Sequence, residues 1–225
     1  MNISNSITGV NDNNFGGQMN EEARKKLEEV LLEDSRPSEY FEALRKSGDL
    51  EKEFPDLAAL IGVEQNPDYH PEGDVFIHTM LVLDAAAELR SQAQDPLAFM
   101  LAALLHDTGK AYKTTNENGR IRSIGHENVS ARLADKFLEE AGFIKEKEAA
   151  VNLTRLHMRP NMLAKDHSRV RATNNLFSEA LSPEDLILLA EADKAGRTDP
   201  PDYTETRDFL NDRYRLYKEK KNYRT

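Results

Sequence analysis

From Asn20 almost to the C-terminus, apolar residues recur every three to four positions among charged ones, and this period predicts helices. Leu27, Val30 and Leu31 carry it through the charged segment 20–34. Ser38 reads as the N-cap of a short helix that ends near Gly48. Pro55 to Ile61 reads as a short apolar turn closed by Gly62, and 66–73, with two prolines, as an ordered loop. Asp74 can cap a helix over 75–91. Asp95 followed by Pro96 starts another, which runs through Leu97, Met100, Leu101, Leu104 and Leu105 and stops at Gly109. The stretch 113–123 reads as a polar loop. Further helices are predicted at about 126–141 (stopping at Gly142), at about 145–158 (ending before Pro160) and from Ser168. Ser182, Pro183 and Asp185 read as a capping box for the next helix, with Asp in the Glu/Gln place. The last helix covers about 203–220 and ends in a basic run. Period-2 alternation of β-branched residues is absent, so no strand is predicted, and no internal repeat is present. The expected fold class is all-α: a helical bundle in one domain over 20–220, including an N-terminal helical arm at 20–65. A flexible tail is expected at 1–19 and a short one at 221–225.

Composition narrows the chemistry. The 225 residues include 30 Lys and Arg against 40 Asp and Glu, a formal charge of -10. Such a field repels phosphate backbones in general, although a local basic pocket can still hold one phosphate. There is no cysteine, which excludes disulfides, thiolate nucleophiles, Fe–S clusters and Cys-based zinc sites. A metal must then be held by His, Asp and Glu. No apolar run approaches the ~18 residues of a membrane span. The Asn-, Ser- and Gly-rich first twenty residues lack the pattern of a signal peptide. The expectation is a cytoplasmic chain with no membrane partner.

The six histidines lie at 70, 78, 106, 126, 157 and 167. His78 falls inside an apolar helix. His106 and Asp107 end one, His126 and Glu127 open another, and His157 lies near the end of a fifth. Asp193 interrupts the apolar run 186–192. Each has an ordinary explanation: a hydrogen-bonded core histidine, an Asp193–Arg197 pair at i+4, a turn at Asp107–Gly109, a surface His126, a dipole-favoured His157. Together they imply several buried imidazoles and carboxylates, which are costly without partners, and one metal cluster would satisfy all of them. His126 begins one helix and His157 ends the next. An antiparallel pair joined near Gly142 would bring them to one end, the end where His106 and Asp107 must also lie.

These residues and their flanks resemble the HD superfamily of metal-dependent phosphohydrolases. The likeness is closer to the C-terminal HD domain of bacterial CCA-adding tRNA nucleotidyltransferases. It is carried by Tyr69-His70-Pro71-Glu72, VFIHTMLVLD at 75–84, LLHDTGK at 104–110, Gly125-His126-Glu127 and EADKAGR at 191–197. In the arm, Pro37-Ser38-Glu39-Tyr40-Phe41 and Glu53-Phe54-Pro55-Asp56-Leu57 extend it, so it spans about 35–200. No strand-rich, Gly-Ser, double-Asp nucleotidyltransferase motif precedes these stretches, so CCA addition by this chain alone is not expected.

The resemblance implies phosphoester hydrolysis with one or two divalent ions. Fe, Mn, Co, Ni or Zn suits a His-rich site better than Mg. It assigns His78, His106, Asp107 and Asp193 to a first ion, and Asp107 with His126 and His157 to a second. Asp107 and Lys110 are the expected catalytic positions. Lys110 is the first candidate for a phosphate contact, followed by Arg159 and Arg197. Lys194 is expected beside the metal set or in solvent, His70 and Asp74 in the loop above the site, and His167 on the surface. The expected substrate is a small phosphoester, a nucleotide or an RNA 3′ end, of the 2′,3′-cyclic phosphodiesterase, 2′-nucleotidase or phosphatase type. The alternatives are a 5′-nucleotidase-like enzyme on mononucleotides and a non-catalytic, metal-stabilised module that binds tRNA or a protein.

Overall fold

The computed structural model describes residues 19–222. Of the tails expected at 1–19 and 221–225, residues 1–18 and 223–225 lie outside the described residues. Met19 packs against the core, and the last helix runs through to Asn222.

The chain is built almost wholly of helices: α1 (Glu21–Glu33), α2 (Ser38–Ser47), α3 (Leu50–Glu53), α4 (Pro55–Ala58), α5 (Val75–Leu89), α6 (Pro96–Leu105), α7 (Lys110–Lys113), α8 (His126–Ala141), α9 (Lys147–Leu156), α10 (Met158–Lys165), α11 (Val170–Glu179), α12 (Pro183–Ala195) and α13 (Thr204–Asn222). A two-stranded antiparallel hairpin, β1 (Thr115–Glu117) and β2 (Arg120–Arg122), lies between α7 and α8. The order and positions of the long helices follow the hydrophobic period.

α6 is apolar on every side, and Leu97 to Leu105 are all buried. A helix of that kind belongs in a core, and α6 contacts α1, α5, α8, α9 and α12. Each fully buried Leu or Phe there contributes roughly 1.5–3 kcal/mol. α8 and α9 instead show one buried and one charged face, and they pair with each other and with α6. The arm joins the bundle through aromatic edges: Phe41 meets Phe54 at 5.3 Å between ring centres, and Phe54 meets Phe137 of α8 at 6.0 Å.

Local readings fail where a distant residue takes over the role. Ser38 does not cap α2. The Asp84 carboxylate of α5 does so, accepting from Ser38 N at 3.0 Å and from Ser38 Oγ at 2.7 Å. The capping box at α12 forms only in half: Ser182 accepts from Asp185 N, but the Asp185 side chain accepts from Gln94 N and Asp95 N, at the start of α6. Asp74 and Asp95 do cap α5 and α6, accepting from Ile77 N and Ala98 N.

Two further corrections concern elements. The polar loop expected at 113–123 contains the hairpin, turned by Asn118 and Gly119 at φ 54° and 79°. Asn-Gly is the strongest short-range hairpin signal, but the flanking Thr, Asn, Glu and Arg lack the apolar alternation of a buried strand. The chain does not leave helical structure before Pro160 either. It bends at His157 and continues as α10, with Pro160 in the first turn, where its missing N–H has no helical acceptor to satisfy.

Candidate metal centre

The centre is assembled at the ends of helices. His106 and Asp107 follow the last residue of α6, His126 is the first residue of α8, and His157 stands at the bend between α9 and α10. His78 comes from the first turn of α5, and Asp193 from the last turn of α12. All six side chains are buried. Helix ends leave backbone carbonyls without helical partners, and the imidazoles use them. His106 Nδ1 donates to Ala103 O at 2.8 Å, and His157 Nδ1 to Thr154 O at 2.7 Å. His126 Nδ1 donates to Ser123 O at 2.7 Å, and His78 Nδ1 faces Gly196 O at 3.0 Å. A carbonyl only accepts, so each Nδ1 carries a proton, and each ring turns its Nε2 inward.

Those Nε2 atoms converge on Asp107. Its Oδ2 lies 3.3 Å from His106 Nε2 and 3.8 Å from His78 Nε2. Its Oδ1 lies 3.0 Å from His126 Nε2 and 3.6 Å from His157 Nε2. The two outer imidazoles approach within 3.4 Å of each other. Two sets of three donors result, His78–His106–Asp107 and Asp107–His126–His157, each with its donor atoms within 4.8 Å of one another. Asp193 stands beside the first set, its Oδ1 3.2 Å from His78 Nε2; the i+4 pairing with Arg197 is not made. Lys110 Nζ reaches Asp107 Oδ2 at 2.7 Å and Gln65 Oε1 at 2.8 Å.

Close backbone contacts hold these parts. Gly109 N donates to Ser130 Oγ at 2.8 Å, and a Cβ at Gly109 would collide with the carbonyl of His126. Gly196, whose carbonyl faces His78, packs so tightly on α5 that a Cβ would lie 2.5 Å from Val82 N, Cα and Cγ2.

The electrostatics follow from burial and neighbours. Burial pushes the Asp107 carboxyl up, but Lys110 and His106 outweigh it and hold it well below the usual carboxylate range. For Asp193, burial is likewise overcome by His78. Burial pushes His157 down, which keeps it neutral. His70 falls to about 4 through burial and the nearby His78, Lys110 and Arg197.

These residues fit a divalent cation. His106 Nε2 and Asp107 Oδ1 are buried without a hydrogen-bond partner. The Nε2 atoms of four rings face one carboxylate, within 3.0–3.8 Å. Leaving such groups uncompensated costs of order 1–3 kcal/mol each. Imidazole and carboxylate donors at this density suit a first-row transition metal or zinc.

Above the cluster opens a cleft of about 820 Å³, with a lobe of about 380 Å³ that reaches Asp107, His157 and Asp193. Lys110, Arg159, Arg197 and Lys194 all line it. Arg159 is held by Glu179 at 2.5 Å, so its charge is compensated at the rim. Arg197 has a buried Nε with no partner. Lys194 is half-buried, and its pKa is pushed down by burial and then by Arg197. Asp74 shapes the neighbouring loop by accepting from Ile77 N and Gly62 N. His167 is exposed, with its ring edge on Phe209.

Four polar residues that sequence patterns gave no role belong to this region. Glu72 has a fully buried side chain 2.9 Å from both His70 Nδ1 and His78 Nδ1. Those two histidines hold it at about 2, against the upward push of burial. Gln65 supports Lys110. Asn161 Nδ2 reaches Asp193 Oδ2 at 3.4 Å and is itself held by Tyr203 OH at 3.0 Å. The Tyr69–Glu72 stretch of the resemblance was the one signal pointing to Glu72.

The HD domain family matches residues 75–197, which include all six clustered side chains. Among curated relatives, the chain is 42% identical over 127 residues to the multifunctional CCA protein of Cupriavidus taiwanensis, covering 56% of this chain and 29% of that one. It is 34% identical over 181 residues to the multifunctional CCA protein of Acidovorax sp. strain JS42, covering 74% and 39%. Over 124 residues it is 43% identical to that of Polaromonas naphthalenivorans, covering 55% and 28%. The chain therefore spans less than half the length of these relatives. Among the described residues, no helix is long and apolar enough to cross a membrane. The HD match covers more than half of the chain and every member of the buried His–Asp cluster, and the chain belongs to the HD domain family.

Proposed function

We propose that this chain is a metal-dependent phosphohydrolase acting on nucleotide or RNA-end phosphoesters, of the 2′,3′-cyclic phosphodiesterase, 2′-nucleotidase or phosphatase type. The observation that carries the reading is Asp107, whose two oxygens each face a separate pair of imidazoles at the floor of a basic cleft. His78, His106, Asp107 and Asp193 would hold one cation, and Asp107, His126 and His157 a second. Such cations supply Lewis acidity toward a phosphoryl oxygen and acidify water.

The chain's own groups provide the rest. Lys110, fixed by Asp107 and Gln65, presents an ammonium to the phosphate and offsets charge that builds on its oxygens. The Nδ1 bonds to backbone carbonyls fix each ring plane, so the Nε2 atoms are aimed before any ligand arrives. Similarity to multifunctional CCA proteins supports an RNA-end or nucleotide substrate over an unrelated phosphoester.

The test is elemental analysis of protein purified without chelator, followed by assay on p-nitrophenyl phosphoesters, 2′,3′-cyclic AMP and 2′-AMP. The expected result is one to two transition-metal ions per chain and turnover that chelation removes and metal restores. Metal-loaded protein that turns over none of these esters would overturn the reading in favour of a binding module.

A further inference from the structure

Apart from Arg122, exposed on β2, the cations around the cleft fall into two groups. Arg155 and Arg159 share the Glu179 carboxylate, at 4.0 and 2.5 Å. Lys110 is paired with Asp107 inside the cluster. Lys165, Lys194 and Arg197 make no ion pair among the described residues. Lys165 ends α10 and lies over the ring of Tyr69, 5.4 Å from its centre. Lys194 and Arg197 leave the end of α12, immediately beyond Asp193. All three line both the large cleft and the lobe that reaches Asp107 and Asp193.

This arrangement is unfavourable by itself. The chain carries ten more acidic than basic side chains, so carboxylates are plentiful, yet among the described residues none forms an ion pair with these three, and Asp193 acts on Lys194 only at longer range. The buried Arg197 Nε has no acceptor, and a buried guanidinium N–H without one is costly. Like charges gathered at a concave wall raise the local concentration of anions. An anion bound among the three would relieve their repulsion.

A single scissile phosphate does not account for them. Lys110, at the floor, already supplies a cation beside the metal-ligating carboxylate. The other three stand on α10 and the end of α12, and the cleft is large for one phosphoryl group. Resting on the phosphohydrolase reading above, we propose that Lys165, Lys194 and Arg197 form a second anion subsite, and that the preferred substrate carries a second phosphate beyond the one at Lys110. That second phosphate is either a terminal one, as in a nucleoside bisphosphate, or an internucleotide one, as at an oligonucleotide end. Tyr69, half-exposed, lining the same cleft and held by Lys165, offers a ring face for the nucleoside.

The test is calorimetric binding to the metal-loaded protein of three ligands: adenosine 3′-phosphate, adenosine 3′,5′-bisphosphate and the 3′-phosphorylated dinucleotide of adenosine. The quantity read is the affinity of each two-phosphate ligand relative to the monophosphate. In the native chain a ratio of about tenfold or more is expected, the size of one charge-assisted contact. In the Lys165→Gln/Arg197→Gln double variant the ratio falls to about twofold or less. A gain with the bisphosphate assigns the subsite to a terminal phosphate, and a gain with the dinucleotide alone assigns it to an internucleotide one. Equal affinities in the native chain, or a ratio unchanged in the variant, overturn the proposal. Binding is read without turnover, so the two readings fail separately. A chain that hydrolyses nothing but keeps the ratio loses only the enzymatic reading, and an active enzyme with a ratio of one loses only the subsite.

Discussion

Replacing Gly196 by alanine tests whether the packing of two helices sets the metal centre. The added Cβ would lie 2.5 Å from Val82 N, Cα and Cγ2. Carbon atoms settle at about 3.5–4.0 Å, so the end of α12 must move back from α5 by about 1 Å. All three close atoms belong to Val82, two of them backbone, so no rotamer change relieves the clash. Overpacking of this kind costs about 1–3 kcal/mol. The same displacement pulls Gly196 O away from His78 Nδ1, now at 3.0 Å, and loses about 1 kcal/mol more. The expected destabilisation is therefore about 2–4 kcal/mol, read from urea unfolding as a lower midpoint with an unchanged slope. Asp193 lies on the same helix end, so metal affinity should also fall, by about 10–100-fold. Gly48→Ala is the control. Gly48 has φ 84° but nothing within 4 Å of its Cβ direction, so the backbone strain appears alone, at about 1–2 kcal/mol. A Gly196→Ala protein destabilised by less than about 1 kcal/mol, or one as destabilised as the control with full metal affinity, would refute the reasoning.

Asp107→Asn keeps the side-chain shape but removes the charge facing four imidazoles. It should abolish metal retention by elemental analysis while helical circular dichroism persists, and retained metal would reject the bridging role. His126→Ala and His157→Ala should each lower the metal content from about two ions to about one. Full occupancy with a raised KM would leave a single-ion site with these rings facing substrate. Glu72→Gln keeps the volume of a side chain 2.9 Å from His78 Nδ1 but weakens its hold on that ring. Metal affinity should fall by about 10–100-fold without loss of stoichiometry at saturating metal, and Glu72→Asp should recover less than the native residue. Unchanged affinity in Glu72→Gln would show that Gly196 O alone orients His78.

Local pattern was enough to define the helices and the type of chemistry. The 3.6-residue period is a property of each segment, and so are the caps at Asp74 and Asp95 and the stop at Gly142. A helix buries its own stripe wherever it is placed, so those elements were legible without a tertiary partner. The histidines were legible for the same reason: a polar ring in or at the end of an apolar helix is conspicuous locally, and HD-family flanks reinforced it. Partnership across the chain was left to the tertiary structure. His78 meets Gly196 across 118 positions, Lys110 meets Gln65 across 45, and Ser38 is capped by Asp84 across 46. No local pattern encodes those pairings, because hydrogen-bond geometry depends on how helices pack and not on either segment's period. The same limit explains why Asp185 accepts from Gln94 N and Asp95 N ahead of α6 and leaves its own capping box half-made, and why Arg159 is compensated by Glu179 while Arg197 stays open. Glu72 and Tyr203 had no periodic signal because they lie in irregular segments, Asn161 none because it is one polar residue of the short α10, and only packing brought them to the buried histidines and Asp193.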